Sequence, residues 1–315
     1  MSNISLTILS RSSKPSHIFP LNLDLKESST LLELKKAIHL KHKKLDTTRQ
    51  RITTVDKKPL LDDKSSLSQL NVKNGDVLYV KDLGPQVSWR TVFLVEYAGP
   101  LFIHPFFYHM SSIIYRKPFE HSEMQRIAYI LVLLHFFKRE FETVFIHRFS
   151  NATMPFMNIF RNSAHYHLLS GFLIAIAIYG PWYSVEALKD SHRSNNGYLS
   201  FWIAFWLFNQ ISNFITHVKL RNLRPAGSTK RAIPTGYGFD WVTCANYFFE
   251  IGSWLGILGL TGSWADCLTN PKVAIFLLVS AGTMAKWAKK KDQNYRKEFG
   301  DKYPKSRRIL IPYIW

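Results

Sequence analysis

The sequence predicts an α-helical multi-span membrane protein, with about six transmembrane helices, that carries a small soluble head at its N-terminus. Three observations predict it. Composition divides the chain: residues 1–90 are polar and lysine-rich, whereas residues 91–285 hold most of the 9 Trp and 23 Phe in apolar blocks separated by short polar loops. The apolar blocks supply six candidate spans, at 91–110, 127–146, 166–182, 199–218, 244–261 and 273–287. The segments between them are alternately rich and poor in Lys and Arg, 35 of the 41 residues falling on one side and 6 on the other. That is the positive-inside pattern, and it puts both termini on the cytosolic face.

In the head, Ile4, Leu6 and Ile8 alternate with polar residues as in a half-buried strand, and HIFPLNL at 17–23 reads as a second strand. Thr30-Leu-Leu-Glu33 has the spacing of a capping box and opens a helix whose Leu31, Leu34 and Ile38 share a face. RITTV at 51–55 is a third strand, and Asn74-Gly75 is a turn before the strand VLYV at 77–80. The order ββα followed by strands fits a β-grasp, ubiquitin-like domain over residues 1–81, leaving 82–315 for the membrane domain. The head has no Gly-Gly tail, so it reads as a docking or stability module, or as a plain folded cap.

Within the candidate spans, ionisable and polar groups cluster: Glu96 in the first; Lys138, Arg139 and Glu142 ending the second; Asn209, Asn213 and His217 repeating every four residues in the fourth; Asn246, Tyr247 and Glu250 beginning the fifth. Charges at such depth are expensive and by default mark a site. Each also has a plainer reading. Lys138 and Glu142, four apart, are spaced to pair on one helix. The Asn-Asn-His repeat suits interhelical hydrogen bonding. Glu96 has no base within a turn, so it needs a partner from another span or a carboxyl kept neutral by burial.

The net charge of +19 follows the loops and tails rather than a single patch, so it points to anionic lipids or an anionic substrate and not to nucleic acid. No G-x-G-x-x-G follows a strand, His165-Tyr166-His167 lacks the dense histidine boxes of a di-iron site, and no Ser or Cys stands in a nucleophile motif. No metal site is expected. Cys244 and Cys267 fall near opposite faces, so no disulfide is expected, and the Asn151 sequon on the cytosolic side is expected to carry no glycan. Arg221 and Arg224, just after the fourth span, are spaced to clamp phosphates. The tail, 295–315, reads as a basic segment with an apolar end. The residues alone lead to a membrane enzyme with an anionic cofactor, using a Glu and a Tyr as candidate acids.

The motifs DLGPQVSWR (82–90), EYAGP (96–100), HFFKREFETVFIHRFSNATMP (135–155), NFITHVKLRNLR (213–224), IPTGYGFDWVTCANYFFEIGSW (233–254) and YPKSRRILIPYIW (303–315) carry a resemblance that runs essentially end to end. The chain resembles the very-long-chain trans-2-enoyl-CoA reductases of the endoplasmic reticulum, a branch of the steroid 5α-reductase family. The resemblance implies NADPH-dependent reduction of a trans-2-enoyl-CoA, the last step of the very-long-chain fatty-acid elongation cycle, which also feeds sphingolipid synthesis. It implies Tyr247 as proton donor, Glu96 as its partner in orienting the substrate carbonyl, and NADPH contacts from Asn213, Arg221, Arg224, Asn246, Glu250 and Tyr295. Lys138 and Arg139 are implied as contacts to phosphates of NADPH or of CoA. Implied partners are the acyl-CoA substrate, membrane lipids, the fatty-acid elongase, the 3-ketoacyl-CoA reductase and the 3-hydroxyacyl-CoA dehydratase. The implied location is the endoplasmic reticulum membrane, multi-pass, with cytosolic termini. The steroid reductases differ in having Asp at the position of His217 and Phe at that of Tyr247. A steroid or sterol reductase of the same fold, a prenyl-cysteine methyltransferase and a non-catalytic assembly subunit are the competing readings.

Overall fold

A computed structural model describes residues 2–11, 18–149, 152–223, 232–262 and 272–315. It comprises two compact units, Met1–Trp89 with Asn151–Asn158, and Arg90–Ser150 with Ile159–Trp315. Arg224, Asn151 and Cys267 lie outside the described residues.

In the first unit, β1 (Asn3–Ser10), β2 (Leu21–Lys26), β3 (Gln50–Thr53) and β4 (Val77–Asp82) form one sheet in the order β2-β1-β4-β3. β1 pairs antiparallel with β2 (Ile4 opposite Leu25) and parallel with β4 (Thr7 opposite Val77), while β3 and β4 are antiparallel (Ile52 opposite Val80). The alternation read from sequence sets this core: Ile4, Leu6 and Ile8 are buried against Leu31, Leu34 and Ile38 of α1 (Leu31–Lys41). Each such side chain contributes about 1.5–3 kcal/mol of burial. The capping box forms, with Glu33 N–H donating to Thr30 Oγ1 (3.2 Å) and Thr30 N–H to Glu33 Oε2 (2.7 Å). β2 starts at Leu21 rather than at residue 17 as expected. Pro20 has no N–H to give the ladder, and residues 12–17 lie outside the described set. The Asn74-Gly75 turn places Gly75 at φ +83, where a side chain would be strained. A second small sheet, β5 (Gln86–Ser88) with β6 (Thr153–Pro155), was not read from the sequence.

The second unit is helical: α2 (Trp89–His109), α3 (Ser111–Ile114), α4 (Glu123–Phe141), α5 (Asn158–Ser163), α6 (Ile174–Ile178), α7 (Val185–Leu188), α8 (Asn196–Asn222), α9 (Ala245–Leu260) and α10 (Lys272–Phe299). Widened π-helical turns continue α4 over Glu142–Ile146 and precede α6 over Ala164–Leu173. A glycine stripe on α9 admits α8 closely: a methyl group on Gly252 would lie 2.0 Å from Asn209 Oδ1, and one on Gly256 3.0 Å from Trp206 Cβ.

The expectation of about six transmembrane helices is overturned. Helices do fall on the candidate segments, but among the described residues none is long and apolar enough to cross a membrane. The helices with sufficient length, α2, α4, α8 and α10, carry polar and charged side chains along their run; α9 is apolar but only 16 residues long. A span needs about 20 predominantly apolar residues. The segment 166–182 is not a single regular helix: α6 ends at Ile178, before Gly180 and Pro181.

Candidate active site

The sequence HFFKREFE places His135, Lys138, Arg139 and Glu142 at helical spacings of three and four, so all four line one face at the end of α4. The π-helical turn that follows carries Glu142 fully inside the unit, with no side-chain exposure. Its carboxylate is the hub of an ionic cluster. Lys138 Nζ lies 2.8 Å and His217 Nδ1 3.0 Å from Glu142 Oε1, and Arg139 Nη1 donates to Oε2 at 2.7 Å. Two cations and a carboxylate buried together satisfy the rule that interior charge must be paired. The pairing of Lys138 with Glu142, one of the two readings of their spacing, is therefore formed. His147, on the far side of the same turn, packs edge-on to His217 with ring centroids 5.0 Å apart. Burial, reinforced by the Arg139 charge, holds His147 well below the ordinary histidine value.

From α8, the repeat Asn209, Asn213, His217 divides by role. Asn209 donates to its own helix at Phe205 O (2.8 Å) and fills the space over Gly252, which is packing. Asn213 accepts from Lys138 Nζ (2.5 Å) and donates to the Asn246 carbonyl (2.8 Å), joining α4, α8 and α9. One turn further along α9, Glu250 Oε1 lies 3.4 Å from His135 Nε2, whose other nitrogen meets Gln210 at 2.7 Å. Arg221, half-buried at the end of α8, accepts Arg148 at its carbonyl (3.3 Å).

Glu96 and Tyr97 reach the same cluster from α2. Arg139 Nη2 donates to Tyr97 Oη at 2.7 Å, and the guanidinium lies 4.9 Å from the Tyr97 ring centroid. Glu96 is 2% exposed and bonds Asn162, and its Oε2 has no hydrogen-bond partner among the described residues. The EYAGP motif explains the local backbone. Pro100 has no N–H to offer the Glu96 carbonyl, and Gly99 makes room for His167, whose Nε2 meets Val95 O at 3.0 Å. His165 turns to Ser280 Oγ (3.3 Å), so the His165/His167 pair does not converge on a common ligand position.

Tyr247 lies elsewhere on α9. Its ring faces α10, with Lys291 Nζ 4.5 Å from the ring centroid and the Trp287 ring 6.4 Å away. Tyr295 stacks on Tyr303 at 5.6 Å, beside a buried network in which Thr243 Oγ1 donates to Asp292 Oδ1 (2.7 Å) and accepts from Tyr303 Oη (2.7 Å). The C-terminal segment is not a free tail. The Arg308 and Ile309 carbonyls accept the N–H groups of Thr243 (2.8 Å) and Cys244 (3.3 Å), which the start of α9 leaves unfilled.

The structure thus brings Lys138, Arg139, Asn213, Asn246 and Glu250 into one polar cluster that adjoins Glu96. It shows no direct contact between Tyr247 and Glu96, and it carries Tyr295 into the C-terminal network. Tyr97, His135, Gln210 and Lys291 were not singled out from sequence. Tyr97 and His135 lie inside the quoted motifs, one turn or less from residues that were; Lys291 gave no local signal in a run of lysines.

A family model described as 3-oxo-5-alpha-steroid 4-dehydrogenase matches residues 152–315. A Schizosaccharomyces pombe protein named as an enoyl reductase is 51% identical over 271 residues, covering 86% of this chain and 87% of its own. A Dictyostelium discoideum protein named very-long-chain enoyl-CoA reductase is 42% identical, over 91% of this chain and 92% of its own. A Caenorhabditis elegans protein of the same description is 38% identical over the same shares. The end-to-end similarity to these relatives and the match of the C-terminal half to the family model establish that the chain belongs to the 3-oxo-5-alpha-steroid 4-dehydrogenase family, in its enoyl-CoA reductase branch.

Proposed function

We propose that this chain reduces a trans-2-enoyl-CoA with NADPH, delivering hydride to C3 and a proton to C2, as the last step of the very-long-chain fatty-acid elongation cycle. The broader part of this statement follows from family membership: the chain is an enoyl-CoA reductase, an oxidoreductase acting on a carbon–carbon bond with a nicotinamide cofactor and an acyl-CoA substrate. The observation that carries the finer reading is the Lys138–Asn213–Asn246 bridge across α4, α8 and α9, together with the buried Glu96 carboxyl, whose Oε2 has no hydrogen-bond partner among the described residues.

The residues fit a phosphorylated dinucleotide. Asn213 and Asn246 offer amides, Glu250 a carboxylate for hydroxyl or amide donors, and Arg221, with Arg224 beyond the described residues, the cations for phosphate. Lys138 and Arg139 are held by Glu142 and meet phosphate oxygens only with the faces that Glu142 leaves open. When bound, NADPH supplies the hydride. The chain's own groups then do the rest. Burial pushes the Glu96 carboxyl up to about 7, so in its protonated form it donates to and orients the thioester carbonyl, on which negative charge develops; a donor aimed at that oxygen carries much of the rate. Tyr247 gives its phenolic proton to C2.

The substrate chemistry places the reaction after a dehydration, so an elongase, a 3-ketoacyl-CoA reductase and a 3-hydroxyacyl-CoA dehydratase act before it. Endoplasmic reticulum location belongs to the same reading, and imaging of the tagged protein tests it. NADPH oxidation with a long trans-2-enoyl-CoA, comparing wild type with Tyr247→Phe, tests the reaction. Turnover that falls by about 10²-fold or more in the variant supports both reaction and donor. Unchanged turnover moves the donor elsewhere. The family description favours one second reading, reduction of a steroid enone; turnover of enones without turnover of enoyl-CoA replaces the first reading with it.

A further inference from the structure

The geometry points to Lys291 as a positioning residue for Tyr247, bracketing the phenol together with Trp287 and holding a positive charge beside it as it gives up its proton. The inference rests on the reading of Tyr247 as proton donor. Trp287 and Lys291 are four apart and so share one face of α10. Their side chains reach Tyr247 from that face, the ammonium at 4.5 Å from the ring centroid and the indole at 6.4 Å. On the remaining sides Tyr247 packs in an apolar cluster with Cys244, Ala288 and Leu310, flanked by Ile251 and Ile309. The ring is therefore packed on its apolar sides by this cluster and meets a cation over its face.

The titratable groups facing the pair are Cys244, just before α9, and Asp292 and Tyr295 on α10; the C-terminal segment offers Ile309 and Leu310, which carry no charge. Asp292 is turned away, satisfied by Thr243 and Arg296 at 2.7 Å each. The Lys291 side chain is solvent-exposed as a whole; desolvation of its ammonium would push it down, but Tyr247 and Cys244 outweigh it and hold it above the ordinary lysine value. Lys291 is thus charged throughout the neutral range.

The step balances with the nicotinamide cofactor of the proposed reaction, which would be oxidised by two electrons as its C–H bond gives up the hydride, and with one solvent proton to restore the phenol. The hydride pair forms the C3–H bond, and the C2=C3 π pair moves to C2 in conjugation with the thioester. The Tyr247 O–H bond breaks, its proton forms the new C2–H bond, and its electron pair stays on the phenol oxygen. The resulting phenolate lies beside the Lys291 ammonium until water returns a proton to it. A cation at that distance stabilises the phenolate more than the phenol, so it lowers the barrier to the transfer.

The test compares Lys291→Met and Lys291→Arg, alone and with Tyr247→Phe, in the full-length protein. The readouts are kcat/KM against pH with a long trans-2-enoyl-CoA, and NADPH affinity by titration of tryptophan fluorescence. Lys291→Met is expected to lower the plateau about 10-fold or more. NADPH affinity stays within about twofold, Lys291→Arg restores most of the rate, and Lys291→Met costs little in the Tyr247→Phe background. Three results overturn the inference: a wild-type plateau in Lys291→Met, an equal loss in both backgrounds, or a fall in NADPH affinity that accounts for the whole loss. Lys291→Arg keeps the charge and serves as the folded control should the methionine variant misfold. Full activity in Tyr247→Phe removes the donor assignment and this inference together, whereas an impaired Tyr247→Phe with an indifferent Lys291→Met removes this inference alone.

Discussion

His217 Nδ1 stands 3.0 Å from Glu142 Oε1, so the histidine that ends the Asn209–Asn213–His217 repeat closes onto the carboxylate that also pairs Lys138 and Arg139. The widened turn after α4 puts Glu142 in reach of all three at once.

That hub makes Glu142 the costliest side chain in the cluster to neutralise. Glu142→Gln leaves two cations without their counter-ion in a buried place. Thermal or denaturant unfolding is expected to show a loss of about 3–5 kcal/mol. His217→Ala, which keeps both cation pairs, is expected to cost less. Equal losses in the two variants would mean that the cluster is held chiefly by α8 rather than by charge.

Arg139 serves two partners with one planar group, donating to Glu142 and to Tyr97 at 2.7 Å each. Lysine has the charge without the fork. Arg139→Lys is expected to bind NADPH more weakly, and Tyr97→Phe to lose about 1.5–3 kcal/mol of stability, the range for a hydrogen bond to a charged group. Equilibrium titration and unfolding check the two separately; an unaffected Arg139→Lys would place the cofactor away from the cluster.

Close approach of α8 to α9 is expected to be intolerant of one methyl group. A methyl on Gly252 would meet Asn209 Oδ1 at 2.0 Å. Gly252→Ala is expected to cost about 1–3 kcal/mol by overpacking, and Asn209→Ala in the same chain to recover part of it. No recovery in the double variant would mean that the α9 backbone, not the Asn209 side chain, is the obstacle.

In the first unit, Asp82 takes both arms of Arg49, at 3.0 and 2.6 Å. The Arg49 hydrogen bonds, aided by the Gly84 N–H, hold the Asp82 carboxyl below the ordinary aspartate value of 3.8. A depressed carboxyl stabilises the fold above its unfolded value, and the contribution is lost as pH falls through the lower, folded value. The stability gap between wild type and Asp82→Asn is therefore expected to be full above about pH 4 and to close below it. The gap is expected to be small throughout, because Asp82 is about half exposed and solvent screens the pair. A gap that persists unchanged in acid would mean that the aspartate acts through its bond to Gly84 rather than through charge.

Much of the local structure was legible in the chain. The Ile4-Leu6-Ile8 alternation, the Thr30–Glu33 box and the Asn74-Gly75 turn each state their geometry within a few residues, and the observed elements follow them. The i, i+3, i+4 spacing of Lys138, Arg139 and Glu142 likewise announced a shared face. Hydropathy misled where it was summed over segments: Glu96, His104 and two prolines interrupt α2, and α9 is too short, so apolar runs did not become spans.

What the sequence by itself determined is therefore what neighbours within one or two turns decide: which residues alternate, which cap, and which share a helix face. Tertiary structure alone decided that His217 would meet Glu142 75 residues away, that Asn209 would serve packing while Asn213 joined the cluster, and that Lys291 would face Tyr247. The physical reason is range. Backbone periodicity and capping are set by hydrogen bonds and sterics a few residues apart. The partner of a buried charge is set by how close two helices come, and here a glycine stripe on one helix fixed that distance to the other.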